Sequence, residues 1–366
     1  MLRSNLGRAI CAAVVTVAMF TGIASADVFN MPSGLTSLQF VTVGNPGNAP
    51  DTRYASPGFG SVSYTYQMGK FEVTTGQYCE FLNAVAKTDT YGLYNTYMDA
   101  SVYYDGCNIK QRGSPGNYSY TVGNGNPIDV NEWSNRPVNW ISWGDAARFC
   151  NWLTNGQKIG TGKPAQDAWL TEDGSYYLNG ATDDTSLLDV TRKANARYVI
   201  PTEDEWYKAS YHKNDGVGGN YWDYPTGTNS VPSNILANPD PGNNANYYDS
   251  FGAGNGGWTI GSPHYRTEVG EFENSESPYG TFDQGGNVWE WNEAIVYGLY
   301  RGQRGGSFDG YGGSDLTLRA ACFIYERPTY EIVSYGFRIA EVPEPGCAGL
   351  VLIGCLLSAG RGGRRK

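Results

Sequence analysis

The chain has 366 residues and a formal net charge of −10, with 17% charged and 14% aromatic side chains. So few charges beside so many rings exclude a disordered chain, and the length suffices for one large domain or two ordinary ones with a full core. The acidic balance argues against nucleic acid as a partner.

In chain order, the first 26 residues carry Arg3 and Arg8, an apolar run from Ala9 to Ile23, and the small-x-small site Ala24-Ser25-Ala26. This is the pattern of a secretory signal peptide cut before Asp27; a membrane anchor would need a longer apolar run. Residues 27–59 are rich in Gly, Pro and Ser and read as an N-terminal arm. Three helices are then announced by their start signals. Thr74 with Gln77 forms a capping box ahead of the stripe Tyr78, Phe81, Leu82 and Val85. Ser142 with Asp145 precedes Trp143, Ala146, Ala147, Cys150 and Leu153, and Thr202 with Glu205 precedes Trp206 and Ala209. Short strand-like runs stand before these helices, at 66–73, 136–142 and 197–201, and two more at 304–308 and 334–342 close the body. The segments 88–135 and 212–281 are long, rich in Gly, Asn, Tyr and Asp, and expected to be packed rather than loose. Few helices, short strands and heavy loops predict an α+β domain.

The body holds four cysteines, Cys79, Cys107, Cys150 and Cys322, and no C-x-x-C pair. An exported domain can join them into as many as two disulfides. Cys79 and Cys150 lie on or beside the inward faces of the first two helices, which makes a Cys79–Cys150 link an expectation; buried free thiols, or pairing with Cys107 or Cys322, are the alternatives.

The last residues, 343–366, join Pro343-Glu344-Pro345, an apolar stretch from Gly346 to Ala359 and a basic end with Arg361, Arg364, Arg365 and Lys366. This three-part tail resembles the PEP-CTERM sorting signal of exopolysaccharide-producing Gram-negative bacteria. The resemblance implies a short transmembrane segment, an exosortase-type processing enzyme as partner, and a final place in the cell envelope, at the surface or outside the cell. A plain tail anchor is the alternative, and on either reading the body lies outside the cytoplasm.

Six stretches in order, at 71–85, 136–153, 197–209, 279–291, 301–308 and 335–340, resemble the formylglycine-generating enzyme family, also called sulfatase-modifying factor domains. The resemblance covers residues 60–342 and implies that family's elaborated C-type-lectin-like α+β fold, with little regular secondary structure. It also implies a calcium site in "FDQGGNVWEW", with Asp283, the carbonyls of Gly286 and Val288, and Glu290 as ligands. Oxygen donors on a glycine-bearing turn suit calcium; the alternative is that Glu290 caps a turn or pairs with Arg304 or Arg338.

The family oxidises a substrate cysteine with oxygen at copper held by two cysteines five residues apart, upstream of Gly-Phe-Arg. Counted back from Gly336, those positions are Asp315 and Ala320, and the nearest thiol, Cys322, is displaced by two. Copper(I) needs soft thiolates, so copper is not expected here. The iron-dependent branch of the fold needs a histidine cluster, and only His212 and His264 are present. Acids Glu203, Asp204 and Glu205 read as helix N-terminal residues rather than catalysts. The sequence therefore predicts a non-catalytic binding or scaffold module. Its cleft would be lined by Trp289, Trp291, Tyr311 and Tyr325, stacking on an extracellular polysaccharide or holding an exported protein ligand; core packing is the alternative for each ring. The alternative function is a copper- and oxygen-dependent formylglycine-generating oxidase acting on an exported sulfatase.

Overall fold

A computed structural model describes residues 29–343, apart from 104, 251, 253 and 311–313. The signal peptide, the sorting tail with its apolar stretch, and Tyr311 lie outside the described residues. Among the described residues no helix is long and apolar enough to cross a membrane.

All three capping boxes form. Thr74 accepts from the Gln77 amide and Gln77 returns a bond to the Thr74 amide, opening α1 (Thr75–Val85). Ser142 and Asp145 do the same for Trp143–Thr154, and Thr202 and Glu205 for Glu203–Tyr211. Each box satisfies two amides that the helix itself leaves without partners. In chain order the elements are β1 (Phe40–Val43), β2 (Tyr66–Gly69), α1, β3 (Ile109–Arg112), β4 (Ser119–Val122), α2 (Pro127–Trp133) and α3 (Trp143–Thr154). Then come α4 (Pro164–Asp167), α5 (Trp169–Glu172), α6 (Asp184–Leu188), β5 (Tyr198–Val199), α7 (Glu203–Tyr211), β6 (Trp289–Val296), β7 (Tyr300–Arg304), β8 (Ile324–Glu326), β9 (Tyr335–Gly336) and β10 (Ala340–Glu341).

Two four-stranded sheets organise the body, in the orders β1-β2-β10-β5 and β8-β7-β6-β9, with β3-β4 as a separate hairpin. β1 pairs residue by residue with β2, Phe40 opposite Gly69, so the segment read as an N-terminal arm supplies an edge strand of the first sheet. The run 136–142 makes no strand; Trp140 is left-handed at φ 60°, and the segment is a connector held by a bridge between Thr74 and Pro137 and by the Trp140 and Ile141 amides on the Ile332 and Tyr335 carbonyls. The segment 88–135 contains the β3-β4 hairpin and α2.

Between the sheets and α1 and α3 sits an aromatic core. Phe149 contacts Phe81, Trp152 and Phe337 with ring centroids 5.3–5.8 Å apart, and Tyr78 contacts Phe81 at 5.3 Å. The same packing corrects the expected disulfide. Cys79 and Cys150 are free buried thiols, as is Cys107. Tyr78 and Phe81 turn toward Phe149, whereas Cys79 lies beside Asn83, whose amide reaches its sulfur at 3.8 Å. Burial, with Glu80 and Cys107 nearby, raises the Cys79 thiol's pKa; burial, with Glu293 nearby, raises that of Cys150. The rings of α1 and α3 meet where the link was expected.

Candidate functional site

The turn 282–288 leads directly into β6. Parallel pairing of β6 with β9 sets Glu290 opposite Gly336, which brings Arg338 to the buried side of the sheet. Arg338 grips Glu290 with both arms, Nε to Oε2 at 2.6 Å and Nη2 to Oε1 at 2.7 Å, and Trp206 Nε1 donates to Oε2 at 2.7 Å. The guanidinium also donates to the carbonyls of Gly69 (3.0 Å) and Phe282 (2.8 Å), so one side chain ties β2, the turn and β6 together. Of the two partners open for Glu290, Arg338 is the one used; Arg304 pairs with Glu203 instead. Burial opposes the Arg338 charge, and Glu290 beside it outweighs that opposition.

Two more carboxylates flank this pair. Glu72 is 1% exposed and accepts only long bonds, from Val288 N and Asn287 Nδ2 at 3.4 Å each. Burial, then Asp283 and Glu290, raise its pKa well above the ordinary carboxylate value. Asp283 is left-handed at φ 58° and takes the Gly270 amide on Oδ2 at 2.6 Å. Burial pushes its pKa up to about 6 against that bond and Arg338. Glu72, Asp283 and Glu290 thus stand around a single guanidinium, an arrangement short of positive charge in a place where charge is costly. Carboxylate oxygens and turn carbonyls are also the donor set a hard divalent cation takes, so Asp283, Gly286, Val288 and Glu290 fit calcium in chemistry and charge. Glu290 could lend it Oε1, which holds one hydrogen bond.

The positions of the family's copper cysteines are built differently. Asp315 opens a 3₁₀ turn and is 7% exposed. Tyr224 OH and Arg319 Nη2 each donate to its Oδ2 at 3.2 Å, and Arg319 Nε donates to Tyr224 OH at 2.7 Å. Ala320 is fully buried; its amide donates to the Asp223 carbonyl at 2.9 Å and its own carbonyl accepts from Arg304 Nη1 at 2.9 Å. Asp223 in turn receives Arg53 Nη1 at 2.6 Å, and Arg53 reaches back to Asp51 at 2.8 Å. Burial raises the Asp51 pKa, but the bonds from Arg53 and Tyr207 prevail and hold it below the usual range. Cys322 is half-buried, and burial pushes its thiol up against the pull of Arg304. Among the described residues no group of three His, Cys, Asp or Glu side chains is placed to hold a metal. A paired acid, a methyl group and a protonated thiol do not fit copper(I).

The aromatic candidates part company. Trp291 is fully buried, 5.3 Å from Tyr335, with Nε1 donating to the Ile141 carbonyl at 2.8 Å, and Trp289 is 6% exposed. Both are core rather than cleft, because alternate side chains of β6 share one face and that face meets the main core. Tyr325, 38% exposed, is on the surface. His212 is fully buried, with Nδ1 2.8 Å from Tyr279 OH.

A second acidic cluster, with no signal in the sequence beyond the α3 capping box, lines a cavity of about 70 Å³ between α3, α6 and residues 329–331. Asp145 accepts from Ser142, Glu331 accepts from Asn95 Nδ2, and Arg148, which also lines the cavity, spends its charge on Glu172 at 2.8 Å. Burial pushes Asp145 up to about 7 against the Ser142 bonds, with Asp89 adding to the push. Burial, then Asp145, push Glu331 up to about 8. Unfolded, both groups titrate near about 4. The folded state therefore holds more protons between about pH 4 and pH 8, and stability falls as pH rises through that window. The urea midpoint is expected to drop between pH 5 and pH 8, and Asp145→Asn to flatten the drop. A midpoint that rises over this range would contradict the assignment.

A model of the sulfatase-modifying factor enzyme 1-like domain matches residues 41–342. Among curated proteins nothing matches. Three solved structures are similar over most of both chains. CarF is 18% identical, with 84% of this chain and 98% of that chain covered and a TM-score of 0.46. Treponema denticola variable protein 1 is 19% identical, with 84% and 96% covered and a TM-score of 0.48. PvdO from Pseudomonas aeruginosa is 14% identical, with 85% and 96% covered and a TM-score of 0.41.

Proposed function

The chain belongs to the sulfatase-modifying factor enzyme 1-like domain family, and on that premise we propose that it is an exported, surface-sorted ligand-binding module without the family's copper chemistry. One observation carries the reading. Where the family holds copper between two thiolates, this chain has Asp315 bound to Tyr224 and Arg319, and a buried Ala320. Neither offers sulfur, and the Asp315 carboxylate is already engaged by an arginine. The signal peptide over 1–26 and the PEP-CTERM-like tail over 343–366 support export and processing by an exosortase-type enzyme. Calcium at Asp283, Gly286, Val288 and Glu290 would be structural, offsetting the carboxylate excess around Arg338 and fixing the turn into β6.

Metal analysis and turnover test this together. The purified protein is expected to retain calcium and no stoichiometric copper. Supplied with copper, oxygen, a reductant and a cysteine-containing sulfatase-motif peptide, it is expected to leave the peptide mass unchanged while an active family enzyme converts it. Aldehyde formation, or one copper per chain, would instead establish the oxidase reading, with Cys322 as one ligand.

A further inference from the structure

The hairpin joining β6 to β7 turns on Tyr297 and Gly298, both left-handed at φ 54° and 68°. Leu299 completes the three-residue loop, its amide donating to the Val296 carbonyl at 3.1 Å. A turn with both central residues left-handed favours Asn, Asp or Gly there, so a bulky residue is strained. Tyr297 nevertheless stands at the tip with 77% of its surface exposed. Strain that packing does not explain points to a role outside the fold.

Its ring belongs to a continuous aromatic strip. Tyr297 lies 5.4 Å from Tyr325, Tyr300 lies 5.1 Å from Tyr325, Phe323 lies 6.4 Å from Tyr325, and Phe59 lies 6.3 Å from Phe323. Phe323, just before β8, and Tyr325 within it are 44% and 38% exposed, while Ile324 between them packs on the core. An edge strand normally turns polar groups outward; this one turns rings outward. Beneath the strip the Arg304 guanidinium lies 4.8 Å from the Phe59 ring and 5.5 Å from the Phe323 ring.

Size and charge narrow the occupant. The partly exposed rings together offer on the order of 400 Å², about half of the ~800 Å² that each side of a stable protein interface needs. None of the five carries a charge, and a chain of net charge −10 does not attract an acidic polymer or a second copy of itself. A narrow, uncharged, hydroxyl-rich chain meets these conditions: pyranose faces stack on the rings, and the tyrosine hydroxyls exchange hydrogen bonds with the sugar.

The geometry points to Tyr297, Tyr300, Phe323 and Tyr325 as a binding strip for a neutral polysaccharide. This names the ligand class for the binding-module reading and rests on it. The two remain separable, because aldehyde formation in the turnover assay would overturn that reading whatever the strip binds.

Native gels cast with hydroxyethyl cellulose, laminarin, pullulan or galactomannan test the strip. The protein is expected to be retarded by at least one of them. Tyr325→Ala and Tyr297→Asn should each weaken that retardation roughly five- to tenfold, and Tyr177→Ala, at an exposed ring elsewhere, should not. Tyr297→Asn guards against misfolding as an explanation, because asparagine suits the turn and should melt no lower than the wild type. No retardation by any of the four glycans, or retardation that both strip variants leave intact, would overturn the assignment. So would self-association in sedimentation that the same variants abolish, since the occupant would then be a second copy.

Discussion

Arg338→Met is expected to lower stability by about 3–5 kcal/mol, the cost of stripping one partner from a buried ion pair. The variant leaves the Glu290 carboxylate, fully buried, with Trp206 Nε1 as its remaining donor. The Gly69 and Phe282 carbonyls lose their guanidinium donor as well. Glu72 and Asp283 then face Glu290 without the guanidinium, so in calcium-free protein the three carboxylates must take up protons or the turn must open. Against a typical total of about 5–15 kcal/mol, a loss of this size is visible as a large fall in the urea midpoint. Adding Glu290→Gln should restore part of it, because the residual penalty is mostly an unpaired charge rather than a lost attraction. If Arg338→Met costs under about 1 kcal/mol, the pair is not what holds the turn to the sheet.

The three capping boxes were legible because the signal is local: a hydroxyl and an acceptor three residues apart satisfy each other whatever the rest of the chain does. What came from far along the chain was not legible. Glu290 had two arginines open to it, and the choice of Arg338 follows from a parallel pairing of β6 with β9 that spacing does not encode. The sequence reading places Trp289 and Trp291 in the cleft, with core packing as the alternative. They are core because β6 lies between β7 and β9, with Trp206 of α7 closing over its other face at Glu290. The disulfide expectation rested on two helix faces that do turn inward, but a helix advances 100° per residue, so Cys79 looks away from the side where Tyr78 and Phe81 meet α3. The candidate site was legible in its losses. That Asp315 and Ala320 stand where thiolates are needed is plain from the sequence, whereas the Tyr224–Arg319 clasp on Asp315 draws on residues 91 and 4 positions away. The β6-β7 hairpin escaped notice because its turn is Tyr-Gly, not the Asn-Gly that announces such turns.

The adjacent glycines of the same turn should respond very differently to one added methyl group. Gly286 is left-handed at φ 94°, and a Cβ there would sit 2.1 Å from the backbone oxygen of Asn246 and 2.8 Å from its carbonyl carbon. That carbonyl accepts the Asn287 amide at 2.8 Å, so it cannot retreat without breaking the bridge between residues 246 and 286. The left-handed backbone costs an alanine about 1–2 kcal/mol, and overpacking against a fixed backbone adds about 1–3 kcal/mol. Gly286→Ala is therefore expected to lose about 2–5 kcal/mol and to shift the Gly286 carbonyl proposed for calcium, so added calcium should no longer raise its melting temperature. Gly285 is not left-handed, and the three atoms nearest its added Cβ all belong to the Pro225 ring, with Cγ at 3.0 Å and Cδ at 3.4 Å. A ring pucker can give by a few tenths of an ångström where a bridged peptide cannot, so Gly285→Ala is expected to cost about 1 kcal/mol or less. It should also keep the calcium response. Thermal melts of the two variants, with calcium and with a chelator, separate the cases. Equal losses would mean that the turn needs two flexible residues, and not one residue pressed against the neighbouring chain.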